Sequence, residues 1–251
     1  MFLQSWVMPV VLYKIENGGA TITEVAGTAF FINKTGNFLT AKHVIKYAEH
    51  KSSEKDYKIG LVVKGEDGTN KQSFIAEILQ TEHAPEPYDI SIGFINYNLS
   101  QLPLKFKDKE VHVWQRIAAY GYPLNAHSYD ELSKLRINMR ALKGIVQRVL
   151  DKNDVSFSPA PSYETSFLIG EGMSGAPLFI HEGEFDNVIG VCVGCSRSEK
   201  TDEVVEVERD GKTYRESKMQ ITEFGIANDL ISLHDWKPSL LNGLSLVQAA
   251  T

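Results

Sequence analysis

The sequence predicts an all-β protein built of barrels or sandwiches, and three observations predict it. Short runs rich in Val, Ile, Phe and Tyr recur along the whole chain, separated by clusters of Gly, Asn and Asp. Within such runs the apolar residues alternate, as Ile90, Ile92 and Phe94 do with Ser91 and Gly93, which is the period of a strand with one apolar face. The 251 residues, 43% hydrophobic and 23% charged, have the composition of a globular protein and length enough for a core that needs no crosslinks.

The elements follow in order. Met1 to Val11 is apolar but short, carries Pro9 and has neither a basic leading segment nor a small-residue cleavage site, so it reads as a strand rather than a targeting peptide. Ala26 to Asn33 is a strand, Lys34 to Asn37 a turn, and Phe38 to Ala41 the returning strand. Ile59 to Lys64 and Ser73 to Leu79 flank Glu66-Asp67-Gly68, whose Asp-Gly pair supplies the positive φ of a tight hairpin turn. Asp89 opens the strand of Ile90, Ile92 and Phe94. Asn96 to Glu110, with Pro103 and alternating Lys and Asp, has little periodicity and marks the join of two halves, dividing the chain into 1–105, 106–235 and a tail, 236–251. Further strands are expected at Val111 to Tyr120, Arg136 to Leu150, Val155 to Ser158, Leu178 to His181, Val188 to Gly194, Val204 to Glu208 and Phe224 to Ala227. The hairpin around Arg209-Asp210-Gly211-Lys212 is charged on both arms and reads as a solvated ribbon. Asn228 and Asp229 are candidate caps of a short C-terminal helix through Leu233, ended by Pro238. The leucines of the tail, Leu240, Leu241, Leu244 and Leu246, suit packing on a barrel or docking a partner.

Charge and cysteine usage narrow the function. Lys and Arg number 26 against 32 Asp and Glu, a net charge of −6 without a basic patch, so nucleic acid is not an expected partner. No apolar run reaches the roughly 18 residues of a membrane helix, and no membrane association is expected. The two cysteines, Cys192 and Cys195, are too few for a disulfide framework, which points to a reducing, cytoplasmic compartment. Their C-x-x-C spacing lacks the second pair of a zinc site and the βαβ setting of a redox motif, and the remaining histidines show no ligand spacing, so neither metal nor cofactor is expected.

Three segments carry chemistry in combination: Leu39-Thr40-Ala41-Lys42-His43-Val44, Tyr88-Asp89-Ile90-Ser91-Ile92 and Gly172-Met173-Ser174-Gly175-Ala176-Pro177-Leu178. Singly, each has a bland reading: a histidine near a strand end, a turn carboxylate, a serine between glycines. Together they offer what acyl transfer by a hydroxyl requires, namely a nucleophile in Ser174, an imidazole in His43 to take its proton, and a carboxylate in Asp89 to orient that imidazole. The chain order His, Asp, Ser is that of chymotrypsin-type enzymes and differs from those of subtilisins and α/β-hydrolases. Ala176 also breaks the G-x-S-x-G elbow, and a strand rather than a helix follows Ser174, which argues against an esterase on another fold.

On these residues the chain resembles the trypsin-like (chymotrypsin-fold) serine peptidases, and within them the bacterial HtrA-type protease domains lacking a PDZ domain. Gly27-Thr28-Ala29-Phe30 is similar to the family's G-T-G/A-F strand, Thr40-Ala41-Lys42-His43-Val44 to its T-A-x-H-V box, and Asp89-Ile90-Ser91-Ile92 to its D-I-A-L strand. Gly121-Tyr122-Pro123 and Val188-Ile189-Gly190-Val191 extend the likeness into the second half. The resemblance implies two packed six-stranded antiparallel β-barrels with short helices, one at the C-terminus. His43 and Asp89 would stand on the first barrel and Ser174 on the second, in a cleft between them. It implies a serine endopeptidase acting on polypeptides, with an oxyanion hole from the N–H groups of Gly172 and Ser174.

Met173 stands where secreted digestive enzymes have the Asp that pairs with a freshly cut N-terminus, so control, if any, is expected from a loop or a regulatory protein partner. Leu168 and Ile169 fall at the base of the family's primary specificity pocket, with Gly194 and Cys195 on the facing strand, which implies a preference for small or medium apolar side chains before the scissile bond. An equal alternative is that Leu168 points into the barrel core. A silent, peptide-binding module on the same fold is the competing reading, against which the intact His43, Asp89 and Ser174 argue.

Overall fold

Apolar alternation this dense curls each half of the chain into a sheet whose edges meet. The computed structural model describes residues 5–16, 18–64, 73–102, 104–106, 110–129, 135–154, 157–182 and 185–250. The first half comprises β1 (Val7–Glu16), β2 (Gly19–Phe31), β3 (Asn37–Ala41), α1 (Lys42–Lys55), β4 (Lys58–Lys64), β5 (Ser73–Glu77), β6 (Gln80–His83) and β7 (Ile90–Phe94). Its seven strands run in the order β5-β4-β1-β2-β3-β7-β6. β5 and β6 are two legs of one run. At the corner between them Ile78 N–H donates to Ile59 O of β4 (3.0 Å) and Leu79 N–H to Phe94 O of β7 (3.0 Å), so the run joins both edge strands and closes a six-stranded barrel.

The second half comprises β8 (Leu104–Phe106), β9 (Arg116–Gly121), β10 (Ser128–Tyr129), β11 (Leu135–Arg136), β12 (Arg140–Leu150), β13 (Ser162–Thr165), β14 (Pro177–Glu182), β15 (Phe185–Arg209) and β16 (Lys212–Asp229). The sheet order is β14-β9-β12-β13-β16-β15-β8, and an added β14–β15 pairing closes six of these strands on themselves. β8 is a supernumerary strand laid parallel to β15, with Leu104 opposite Asp186. Among the described residues β10 and β11 pair only with each other.

In the second barrel β9 and β14 bury both faces. Ile117 and Ala119 of β9 and Leu178 and Ile180 of β14 fill its interior. Ala118 and Phe179, which alternate with them, join Trp6, Phe30, Phe38 and Ile90 in a core continuous with the first barrel. The packed seam between the halves is therefore itself core.

Several elements depart from expectation. α1 was not foreseen, because its sequence is polar apart from a narrow stripe, Val44, Ile45 and Ala48, that alone is buried; Asp56 ends it in the left-handed conformation. Val188 to Gly194 and Val204 to Glu208 belong to one strand, β15. Beyond Ser196 and Phe224 it pairs with β16 alone, in a ribbon that ends at Arg209 and Lys212. Side chains from Arg197 to Glu223 are exposed, with only Val207 partly covered, so the ribbon is solvated as its charge implied. Phe157 and Ser158 lie outside strands, while Val155 and the Glu66-Asp67-Gly68 turn lie outside the described residues. The C-terminal helix shrinks to a 3-10 turn, Ile231–Leu233, in which Asp229 Oδ1 accepts from Ile231 N–H (2.8 Å) while Asn228 faces inward. After it, Ser239 returns to the first barrel, its N–H (2.7 Å) and hydroxyl (2.5 Å) both donating to Glu82 of β6. α2 (Leu246–Ala249) follows, with a Ser245–Gln248 capping box. Among the described residues no helix is long and apolar enough to cross a membrane.

Candidate active site

β3 ends at Ala41 and the chain turns directly into α1, so His43 sits in the helix's first turn, where N–H groups lack intrahelical acceptors. No side chain of its own caps that turn. Asp89, at the start of β7, does so instead: its Oδ1 accepts from His43 N–H (2.9 Å) and its carbonyl from Lys42 N–H (3.1 Å). An anion at a helix N-terminus is favourably placed with respect to the helix dipole. The second carboxylate oxygen meets His43 Nδ1 at 2.5 Å. With Asp89 ionised, that contact puts the proton on Nδ1 and leaves Nε2 as an acceptor. The imidazole is 48% and the carboxylate 28% exposed, so the pair is open to solvent. Lys42 and Glu86 form an adjoining ion pair, which depresses the Glu86 carboxyl.

Ser174 reaches the same place from the second barrel through a turn that the first barrel grips. Thr28 of β2 donates its N–H to Ser174 O (2.8 Å) and its hydroxyl to Gly172 O (2.7 Å), and the same hydroxyl accepts from Tyr122 N–H (3.0 Å). Thr40 of β3 in turn donates to Thr28 O (2.7 Å). The approach is so close that a Cβ at Gly175 would lie 1.9 Å from Thr28 O, at a φ of +88° that glycine alone adopts readily. A Cβ at Gly27 would meet both Val44, next to His43, and Ser174 O, so the nucleophile turn and the start of α1 abut one β2 residue.

Among the described residues, two backbone N–H groups around Ser174 have no backbone acceptor. Leu124 N–H holds Glu171 O (2.9 Å), which, in a planar trans peptide, turns Gly172 N–H to the opposite side. Met173, Gly175 and Ala176 give their N–H groups to Gly170 O, Cys192 O and Met173 O, whereas neither Gly172 nor Ser174 N–H has a backbone acceptor among the described residues. Met173, in place of an acidic residue, is buried against Gly121.

Around the residues expected to form a specificity pocket, Gly225 of β16 makes close contacts. It pairs with Cys195 across the ladder, donates to Phe167 O (3.1 Å), and leaves room for Ile169, whose Cγ1 would lie 2.7 Å from a Cβ there. Ile169, not Leu168, enters the barrel core; Leu168 is left 44% exposed. Beside Gly194 stands Phe157, 50% exposed, its ring 3.7 Å from the position of an added Cβ. Sequence reasoning missed Phe157, Thr28, Leu124 and Asn228, because nothing local marks a residue whose partners lie in the other barrel or across a long loop. Cys192 is buried and Cys195 exposed, so the two thiols of the C-x-x-C motif do not share an environment. Among the described residues no cluster of three or more potential metal ligands occurs.

Residues 27–191, from β2 through Ser174 into β15, match the family described as the trypsin-like peptidase domain. The solved serine endoprotease from Yersinia pestis is similar over 76% of this chain and 54% of its own, at 18% identity and a TM-score of 0.49; this chain thus spans about half the length of that one. No curated protein matches. With the family match extending over well over half of its length, the chain belongs to the trypsin-like peptidase domain family.

Proposed function

We propose that the protein is a serine endopeptidase that cleaves polypeptides through His43, Asp89 and Ser174. The observation that carries the reading is the hydrogen-bonded His43–Asp89 pair, standing at the seam to which Thr28 clamps the Ser174 turn. His43 Nε2 takes the Ser174 proton as Oγ attacks the peptide carbonyl, and returns it to the leaving amine; water then repeats the sequence on the acyl-enzyme. Asp89 holds the imidazole tautomer and stabilises the imidazolium. The free N–H groups of Gly172 and Ser174 receive the oxyanion. No cofactor enters.

Phe157 beside Gly194, Ile169 against Gly225 opposite Cys195, and the exposed Leu168 support an apolar pocket for a small or medium side chain before the scissile bond, and no carboxylate on these residues would favour a basic one. The sparse cysteines support a cytoplasmic site of action.

Reaction with a fluorophosphonate tests the chemistry. The adduct is expected on Ser174 and absent in His43→Ala; an unlabelled wild-type protein would favour the silent peptide-binding module. Cleavage-site profiling on a peptide library tests the pocket, and a preference for Arg or Lys before the cut would overturn it.

A further inference from the structure

Asn228 lies on β16, in the second barrel, and is 0% exposed. Each polar group of its side chain is used. Oδ1 accepts from the backbone N–H of Asp89 (2.8 Å), across the seam in the first barrel, and Nδ2 donates to Ser158 Oγ (2.7 Å) and Ser162 Oγ (3.0 Å). Ser158 and Ser162 are themselves buried, and the Ser162 hydroxyl donates to Ala160 O (2.9 Å). The amide orientation is fixed by this setting, since the Asp89 N–H requires an oxygen opposite it. β16 anchors Asn228 on both sides, against Ser162 of β13 and Val191 of β15. Val191 leads directly to Cys192, whose carbonyl receives Gly175 N–H beside the nucleophile (2.7 Å).

We propose that Asn228 is a positioning residue for the active site: it fixes the backbone of Asp89, and through Asp89 the His43 imidazole, relative to the strand pair that carries the Ser174 turn. The inference deepens the peptidase reading and rests on it for its kinetic consequence. Its logic is geometric. The carboxylate that orients His43 belongs to one barrel and the nucleophile to the other, so their mutual placement requires a link across the seam on each side. Thr28 grips the Ser174 turn from the first barrel, and Asn228 grips the Asp89 backbone from the second. A buried amide with every group paired is costly to disturb, because each abandoned partner keeps its desolvation penalty. That rigidity suits it to hold a strand end in register.

The test combines kinetics with proton NMR of the His43 ring. In Asn228→Ala, kcat is expected to fall about 10- to 100-fold with KM unchanged, since a small misplacement of a catalytic group costs that much without touching substrate contacts. The downfield His43 Nδ1–H resonance, which Asp89 protects in the wild-type protein, should broaden through faster exchange. In an Asp89→Asn background the same substitution should change kcat less than about twofold, because effects that act through one residue do not add. Ser158→Ala, which loosens the amide from its far side and leaves Asp89 N–H paired, should give a smaller loss of kcat and an intermediate resonance, and it serves if Asn228→Ala does not fold. A folded Asn228→Ala with an unaltered resonance and kcat, or an equal loss in the Asp89→Asn background, would overturn the proposal. Should the wild-type protein prove inert to fluorophosphonate, the peptidase reading fails, while the resonance still decides whether Asn228 fixes Asp89 and His43.

Discussion

The two cysteines show how far one residue's surroundings decide its chemistry. Cys192 sits in the interior of the second barrel, where burial raises its thiol well above the ordinary range, and Cys195 lies three residues on at the surface. The β-bulge between Cys192 and Gly194 sets this part of the strand out of simple register. We expect one thiol per native chain to react with a water-soluble disulfide reagent, assigned to Cys195 by peptide mapping, and two after denaturation. Modification of Cys192 in the folded protein at a comparable rate would contradict its placement. The same contrast separates Leu168 from Ile169: adjacent apolar residues, one open to solvent and the other in the core.

Among elements, the ribbon of β15 and β16 is the clearest case of a part that does not hold the whole together. Its side chains from Arg197 to Glu223 project into solvent, and Ser198 and Thr222 lie opposite each other at its root. Replacing residues 199–221 with an Asn-Gly turn is therefore expected to shift the Tm by less than about 2 °C, as surface changes do in a chain of this size. A larger drop on thermal unfolding would show that the ribbon packs. The sequence displayed this element's charge but not its length. Val188 to Gly194 and Val204 to Glu208 read as separate strands because the polar stretch between them has no apolar face to count. α1 escaped for a related reason, three buried residues being too few to set a helical period, and β13 because it is only four residues long. The hairpin of β2 and β3 was legible as an element, with β3 placed within one residue, but β2 begins at Gly19 rather than Ala26 and ends at Phe31 rather than Asn33, because the polar, exposed first half of the strand carries no apolar run to mark it. His43, Asp89 and Ser174 were legible as types in a chain order; what holds them was not, since Thr28 and Asn228 act on partners 144 and 139 residues away.

For the molecule as a whole, the seam is the structural unit that matters. Thr28→Val keeps the shape of the side chain but strands Gly172 O and Tyr122 N–H in a buried site. We expect it to lower stability by about 1–3 kcal/mol, read from urea unfolding, and to slow peptide hydrolysis because the Gly172 peptide loses its tether. A neutral result would mean that the barrels are aligned without it. The seam is also fastened from outside. β8 lies on the second barrel just after the chain leaves the first, and Ser239, just after it leaves the second, is bonded back to Glu82 on the first. The connecting stretch is thus not the sole tether: after a single break in the backbone between Phe94 and Leu104, the C-terminal fragment would still hold the first barrel in the grasp of its own tail, clasped at Glu82 rather than released.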